Sequence, residues 1–138
     1  MTDRPEILFS SEEIAARVSE LAREIAGAPQ RPDIAMPILV GGFVFAADLV
    51  RALSKEGVDL AVEMLWLRSY GDKRVASAIS MIAGPSDQIA GRHVLVIDGV
   101  LDAGRTIKKA VSLIEAAGAA SVRVVALTYE QVKPFVQS

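Results

Sequence analysis

The stretch Arg92-His93-Val94-Leu95-Val96-Ile97-Asp98-Gly99-Val100-Leu101-Asp102-Ala103-Gly104-Arg105-Thr106-Ile107 decides the fold. Its apolar residues run unbroken into Asp98 instead of alternating with polar ones, which is the pattern of a strand buried on both faces of a parallel sheet. A short loop with a second aspartate, a glycine and a threonine follows, and then a helical pattern begins. The loop after such a strand lies at its carboxyl end, where open α/β sheets bind their ligands. Asp102 to Thr106 would present backbone N–H groups and a hydroxyl at a helix N-terminus, a natural seat for a phosphate. The opening expectation is a phosphate-ester site flanked by acidic residues.

The surrounding composition agrees with an α/β domain. Of the 138 residues, 51% are apolar and 5% aromatic, so aliphatic side chains must build the core. The formal net charge of −2 argues against a general nucleic-acid or anionic-membrane binder. With no cysteine, disulfides, thiolate metal sites and cysteine nucleophiles are excluded. The polar start at Asp3-Arg4-Pro5 does not read as a signal peptide, and no apolar run approaches the roughly 20 residues of a membrane span. A cytoplasmic protein without membrane partners is expected.

Read from the start, Ile7-Leu8-Phe9 is a short edge strand, and Ser10 with Glu13 fits a capping box. Ile14, Val18, Leu21, Ala22 and Ile25 recur at helical spacing up to Gly27. Ile34 to Val40 reads as a strand with an irregular entry at Pro37. Gly41-Gly42 leads into a helix from Phe43 to Lys55, with Val44, Ala47, Val50 and Leu53 as its candidate face and Gly57 at its end. Leu60 to Leu67 is the next strand, and a polar loop from Arg68 to Arg74 follows. Val75 to Ala83 is a strand or hairpin arm, apolar enough to pack on its own core or on another subunit, and Gly84 to Asp87 is a turn. After the central strand, Ile107, Val111, Ile114 and Ala117 mark a helix that stops at Gly118, and Val122 to Tyr129 is the last strand. Strands alternating with helices predict a mainly parallel sheet covered on both faces, in one domain over 1–138.

Each candidate has a plainer reading. Asp102 and Thr106 would also serve as a turn and a helix cap, but two aspartates at a strand's carboxyl end exceed what a turn requires. Gly41-Gly42 alone fits a tight turn. His93, the single histidine, reads as structural, with no serine or aspartate partner indicated. Trp66 reads as core, and Lys108-Lys109 as a solvated helix face.

The stretch from Asp98 to Thr106 resembles the phosphoribosyl pyrophosphate (PRPP) signature of type I phosphoribosyltransferases, and the whole chain is similar to the bacterial hypoxanthine enzymes of that family. Ile7 to Ile14 resembles the family's N-terminus, Leu39 to Arg51 its pyrophosphate loop and helix, and Ser69-Tyr70-Gly71 the start of its mobile catalytic loop. The resemblance implies a twisted, mainly parallel sheet with helices on both faces. It implies that Asp102, Ala103, Gly104, Arg105 and Thr106 hold the 5′-phosphate of PRPP, with Asp102 also the acid/base group beside a purine ring nitrogen. Asp98 would hold the ribose hydroxyls, with Mg²⁺ nearby and bound mostly by substrate oxygens and water. Val40, Gly41 and Gly42 would form the pyrophosphate loop, and Ser69 and Tyr70 would close over the reacting centre. The implied partners are PRPP and a purine base or nucleotide, and the family's habit implies a homo-oligomer.

The sequence also departs from that pattern. Gly99 stands where the family has a second acidic residue, Val40 where it has a lysine, and Ala103 where it has threonine or serine. Near the end of the last strand the family has a base-contacting lysine. Thr128, Tyr129 and Glu130 stand there, and the next lysine is Lys133. The family continues into a hood over the purine, so a reduced or absent hood is expected. Losing one hydrogen bond to a charged group costs roughly 1.5–3 kcal/mol. Two functions are therefore carried forward: purine phosphoribosyl transfer, with a hood from a partner chain as one variant, and recognition of a ribose phosphate or nucleotide without turnover.

Overall fold

The computed structural model describes residues 11–39, 42–69, 79–101 and 105–129, with the backbone alone at 69, 100, 101 and 127–129. Helix α1 (Ser11–Gly27) is followed by strand β1 (Ile34–Leu39), helix α2 (Phe43–Lys55) and strands β2 (Ala61–Val62), β3 (Leu65–Ser69) and β4 (Ile79–Ala83). A 3-10 turn (Asp87–Ile89) then leads to β5 (His93–Leu101), α3 (Arg105–Ala116) and β6 (Ser121–Tyr129). The strand order is β4-β3-β1-β5-β6, with β2 also beside β1. Every pairing is parallel except β3 with β4. This is the expected α/β architecture.

The unbroken apolar runs are explained by helices on both faces. Ile34, Met36 and Ile38 of β1, Val94 and Val96 of β5, and Val122 and Val124 of β6 share one core with Ile107, Ala110, Val111 and Ile114 of α3. The alternate residues Ala35, Leu95 and Ile97 join the other core with Val18, Leu21, Ala22 and Ile25 of α1 and Phe45, Ala46, Leu49 and Leu53 of α2. Period-two alternation along a strand thus feeds two different hydrophobic layers. Both crossover helices end at left-handed glycines, Gly57 at φ 88° and Gly118 at φ 96°.

Several expectations change. Helix α2 has the expected bounds but buries Phe45, Ala46, Leu49 and Leu53, while Val44 is 69% exposed. Val44 lies one turn before Asp48, whose carboxylate pairs with Arg51 at 3.2 Å on the solvent side. The expected strand Leu60–Leu67 is two strands, interrupted at Glu63 and Met64. Trp66 is half-buried, not core: it alternates with buried Leu65 and Leu67, and the Arg68 guanidinium lies 5.6 Å from its ring centroid. The arm Val75–Ala83 is strand only from Ile79, antiparallel to β3, and residues 75–78 lie outside the described residues. So do Ser10 of the capping box and the strand expected at 7–9.

Pro37 is the least expected feature, because it sits in mid-strand and opposite Ile97 of β5. The Glu63 N–H donates to the Ala35 oxygen at 3.0 Å, so Ala35 faces the β2/β3 edge, and alternation turns Pro37 to the same edge. There β2 has ended and β3 begins to pair only at Ile38 with Leu65. The N–H that proline lacks would point into this gap, so no ladder bond is forfeited.

His93 also acquires partners that the sequence does not indicate. Its Nδ1 lies 2.7 Å from Ser121 Oγ, and its backbone N–H donates to Asp33 Oδ2 at 3.0 Å. Asp33 meets the backbone and not the ring, at the amino end of β5, so the group fastens strand entries. No helix among the described residues is long and apolar enough to cross a membrane.

Candidate functional site

Strands β3, β1 and β5 are adjacent and parallel, so their carboxyl ends share one edge of the sheet. From β1 the chain leaves into α2 on one face, and from β5 it leaves into α3 on the other. Neighbouring strands whose connections diverge to opposite faces open a crevice between them, the topological switch point of an α/β sheet. Here that crevice lies between β1 and β5. The segments singled out in the sequence at 40–42, 69–70 and 98–106 follow or end these same three strands.

Gly42 forms one wall. It is the residue before α2, and a Cβ built on it would lie 2.6 Å from the Ile97 oxygen, 3.1 Å from the Ile38 oxygen and 3.2 Å from the Asp98 Cα. No side chain fits, so glycine lets the start of α2 press against the backbone of β5 beside Asp98. The Gly42 N–H donates to Ile38 O at 2.9 Å, so Gly42 supplies close approach and not a donor for a ligand. No side chain caps α2 and no acidic residue stands in its first turn. Val40 and Gly41 lie outside the described residues.

Asp98 lies in the floor. The sequence suggests a strand ending at Asp98, yet β5 continues to Leu101, with Asp98 opposite Ala126 and Leu101 opposite Tyr129 of β6. Asp98 is half-buried, and its Oδ1 accepts the Gly99 N–H at 2.8 Å. That bond orients the carboxylate. Such a carboxylate suits hydroxyl groups, or an ion held mainly by the oxygens of its own ligand. Among the described residues no three His, Cys, Asp or Glu side chains cluster as a metal cage.

The far wall is the start of α3. Because β5 ends at Leu101 and α3 begins at Arg105, the connection is only 102–104, which lie outside the described residues together with Tyr70. Arg105 and Thr106 are half-buried in the first turn, which carries no acidic residue. Arg105 makes no ion pair with a described residue, so the first turn adds a cation and a hydroxyl to the positive end of the helix. Ser69 ends β3 opposite Ile79 of β4.

The phosphoribosyl transferase domain model matches residues 6–136. The chain belongs to this family. Within the phosphoribosyltransferases it is similar to the hypoxanthine-guanine phosphoribosyltransferase of Aquifex aeolicus, at 37% identity over 106 residues that cover 75% of this chain and 58% of the relative. The Dictyostelium discoideum enzyme of that name is 33% identical over 112 residues, covering 79% of this chain and 62% of its own. Among solved structures, hypoxanthine phosphoribosyltransferase from Trypanosoma cruzi in complex with the product IMP superposes with a TM-score of 0.80 at 31% identity, over 94% of this chain and 74% of that one. The chain spans about three-fifths of the length of the two curated relatives.

The steric role of Gly42 and the continuation of β5 past Asp98 are the site features that sequence reading misses. A glycine pair immediately after a buried strand was the available signal for the first. Nothing in Gly99-Val100-Leu101 distinguishes a strand end from a loop, since the pairing that extends β5 comes from β6.

Proposed function

We propose that this phosphoribosyltransferase moves the phosphoribosyl group of PRPP to a purine base and releases pyrophosphate, with 1–138 acting as a single unit. The observation that carries this reading is the crevice between β1 and β5, with Gly42 packed against the backbone of Ile97 and Asp98 on one side and the acid-free start of α3 on the other. The 5′-phosphate sits on 102–106, with Thr106 and Arg105 supplementing the backbone N–H groups. Asp98 accepts hydrogen bonds from the ribose hydroxyls. Val40 and Gly41 lead the pyrophosphate loop, and Gly42 sets its distance from the floor. Asp102 exchanges the proton of a purine ring nitrogen, and Ser69 and Tyr70 cover the reacting centre.

Mg²⁺, held mostly by PRPP oxygens and water with Asp98 beside it, would neutralise charge on the departing pyrophosphate. A homo-oligomer belongs to the same proposal, supported by Phe43 and Val44, which stand 48% and 69% exposed at the start of α2. The test is Mg²⁺-dependent nucleotide formation from PRPP across a panel of nucleobases. Product from a purine is expected, and no product from any base refutes the transferase reading.

Thr106→Ala tests the phosphate seat. Removing a hydrogen bond to a charged phosphate should weaken PRPP binding roughly tenfold or more in calorimetry, with stability nearly unchanged. Unchanged affinity would remove Thr106 from the seat. Gly99, which supplies no carboxylate beside Asp98, favours a second reading, a protein that binds a ribose phosphate or nucleotide without turnover. Calorimetric binding of PRPP or a nucleoside monophosphate by a chain inert toward every base would select it.

A further inference from the structure

The β3–β4 hairpin is attached to the rest of the sheet over a short length. Among the described residues β1 pairs with β3 only at Leu65 and Trp66, and from Leu67 to Ser69 the described neighbour of β3 is β4. The register of β3 with β4 shifts between Trp66 and Leu67, the point at which the hairpin leaves β1. Of β4, only Ile79 is buried. Leu67 and Ile79 seat one face of this ribbon in the core, but the irregularity at its point of departure leaves its base in need of a further brace.

A carboxylate supplies that brace, beside the core packing of Leu67 and Ile79. Glu63 sits between β2 and β3, with its N–H bonded to Ala35 of β1 at 3.0 Å. Its Oε2 and Oε1 lie 2.8 and 3.0 Å from Ser86 Oγ, and Oε1 also receives the Ser86 N–H at 3.3 Å. Ser86 Oγ in turn accepts the Gln88 N–H at 3.1 Å, which caps the 3-10 turn. That turn ends in Ile89, which is fully buried. Glu63 therefore joins the entrance of the hairpin to its exit, and both ends are tied into the core.

We propose that Glu63 is a positioning residue of the site: by clasping Ser86 it fixes the angle at which the β3–β4 hairpin leaves the sheet, and so where Ser69 stands beside the β1/β5 crevice. The inference rests on the transferase reading for its effect on turnover, but the clasp has a readout of its own. The experiment compares Glu63→Ala, Ser86→Ala, the double variant and Ser86→Thr in the full chain, by amide hydrogen exchange and steady-state kinetics. Each alanine variant should speed exchange across β4 about fivefold, the size expected from one or two modest hydrogen bonds, and leave β6 unchanged. The double variant should fall well short of the sum of the two singles, because both remove the hydroxyl–carboxylate link. Only Glu63→Ala frees the Ser86 N–H, and only Ser86→Ala frees the Gln88 N–H. Turnover should fall about fivefold with KM for PRPP held within about twofold, and Ser86→Thr, which keeps both donors, should behave as the native chain.

Unchanged exchange in β4, additive effects, or an equal rise in β6 would overturn the clasp. Selective loosening of β4 with native turnover would overturn its role in positioning. A native chain that converts no base fails the transferase reading instead, and β4 exchange then judges the clasp separately.

Discussion

Asp102→Asn is expected to lower turnover by about 10²-fold or more while PRPP affinity stays within a few-fold of the native value. β5 ends at Leu101, so position 102 follows the last paired residue directly, ahead of the helix that begins at Arg105. In the proposed reaction a proton must leave a purine ring nitrogen as the new bond forms. Asparagine keeps the size of the side chain and one acceptor oxygen but cannot take up that proton at neutral pH. In the proposed function the phosphate seat would be built from backbone N–H groups, Thr106 and Arg105, none of which the change removes. Binding and chemistry should therefore separate, with calorimetry nearly unchanged and kcat strongly reduced. Native turnover would remove Asp102 from the chemistry. A parallel loss of affinity would give its carboxylate, and not only its backbone, a part in the seat.

Gly42→Ala should produce the largest structural effect of a single added methyl group. The new Cβ would lie 2.6 Å from the Ile97 oxygen and 3.1 Å from the Ile38 oxygen, and both neighbours are backbone in the centre of the sheet. Neither can rotate away, as a side chain could. The start of α2 must lift off β5, which disturbs Phe45, Ala46 and Leu49 beneath it and the Gly42 bond to Ile38. Overpacking of this kind costs about 2–3 kcal/mol, visible as a lower denaturant midpoint at unchanged slope. If the proposed pyrophosphate loop precedes α2, PRPP affinity should fall as well, because Gly42 would be pushed away from Asp98. Gly27→Ala is the control, since a Cβ there meets nothing within 4 Å, and it should leave both measurements unchanged.

The elements that sequence reveals best are those whose pattern is fixed by their own residues. β1, β5 and β6 are apolar runs too short for helices, and α3 carries one clear apolar stripe. α2 shows the limit. Its bounds follow from Gly42 and Gly57, but Phe43, Val44, Phe45, Ala46, Ala47, Leu49 and Val50 nearly encircle it, so apolar spacing alone does not choose a face. The polar line through Asp48, Arg51 and Lys55 does choose it, because Val44 falls on that line and is exposed.

Trp66 and the division of Leu60–Leu67 were hidden for a different reason. Both depend on which neighbour each part of the strand meets, and that is a property of the sheet. The same holds for His93, whose partner Ser121 is brought to it by the pairing of β5 with β6. At the site, the residue types at 98–106 and the glycine at 42 are legible. The Ile38 carbonyl that consumes the Gly42 N–H, and the Glu63–Ser86 clasp across 23 positions, are not.

Pro37 gives the two edges of β1 different chemistry. The edge that carries Ile34, Met36 and Ile38 offers an unbroken row of donors, whereas the opposite edge lacks one in its middle. A long strand such as β5 can zip along the first edge without leaving a carbonyl unanswered, while the second accepts only a strand interrupted at the matching height, as β2 and β3 are. A single imino acid thus discriminates between wrong and right orders of assembly. It would leave an orphaned acceptor in a sheet with β5 and β3 exchanged about β1, whereas the native neighbours β2 and β3 are already interrupted at that height.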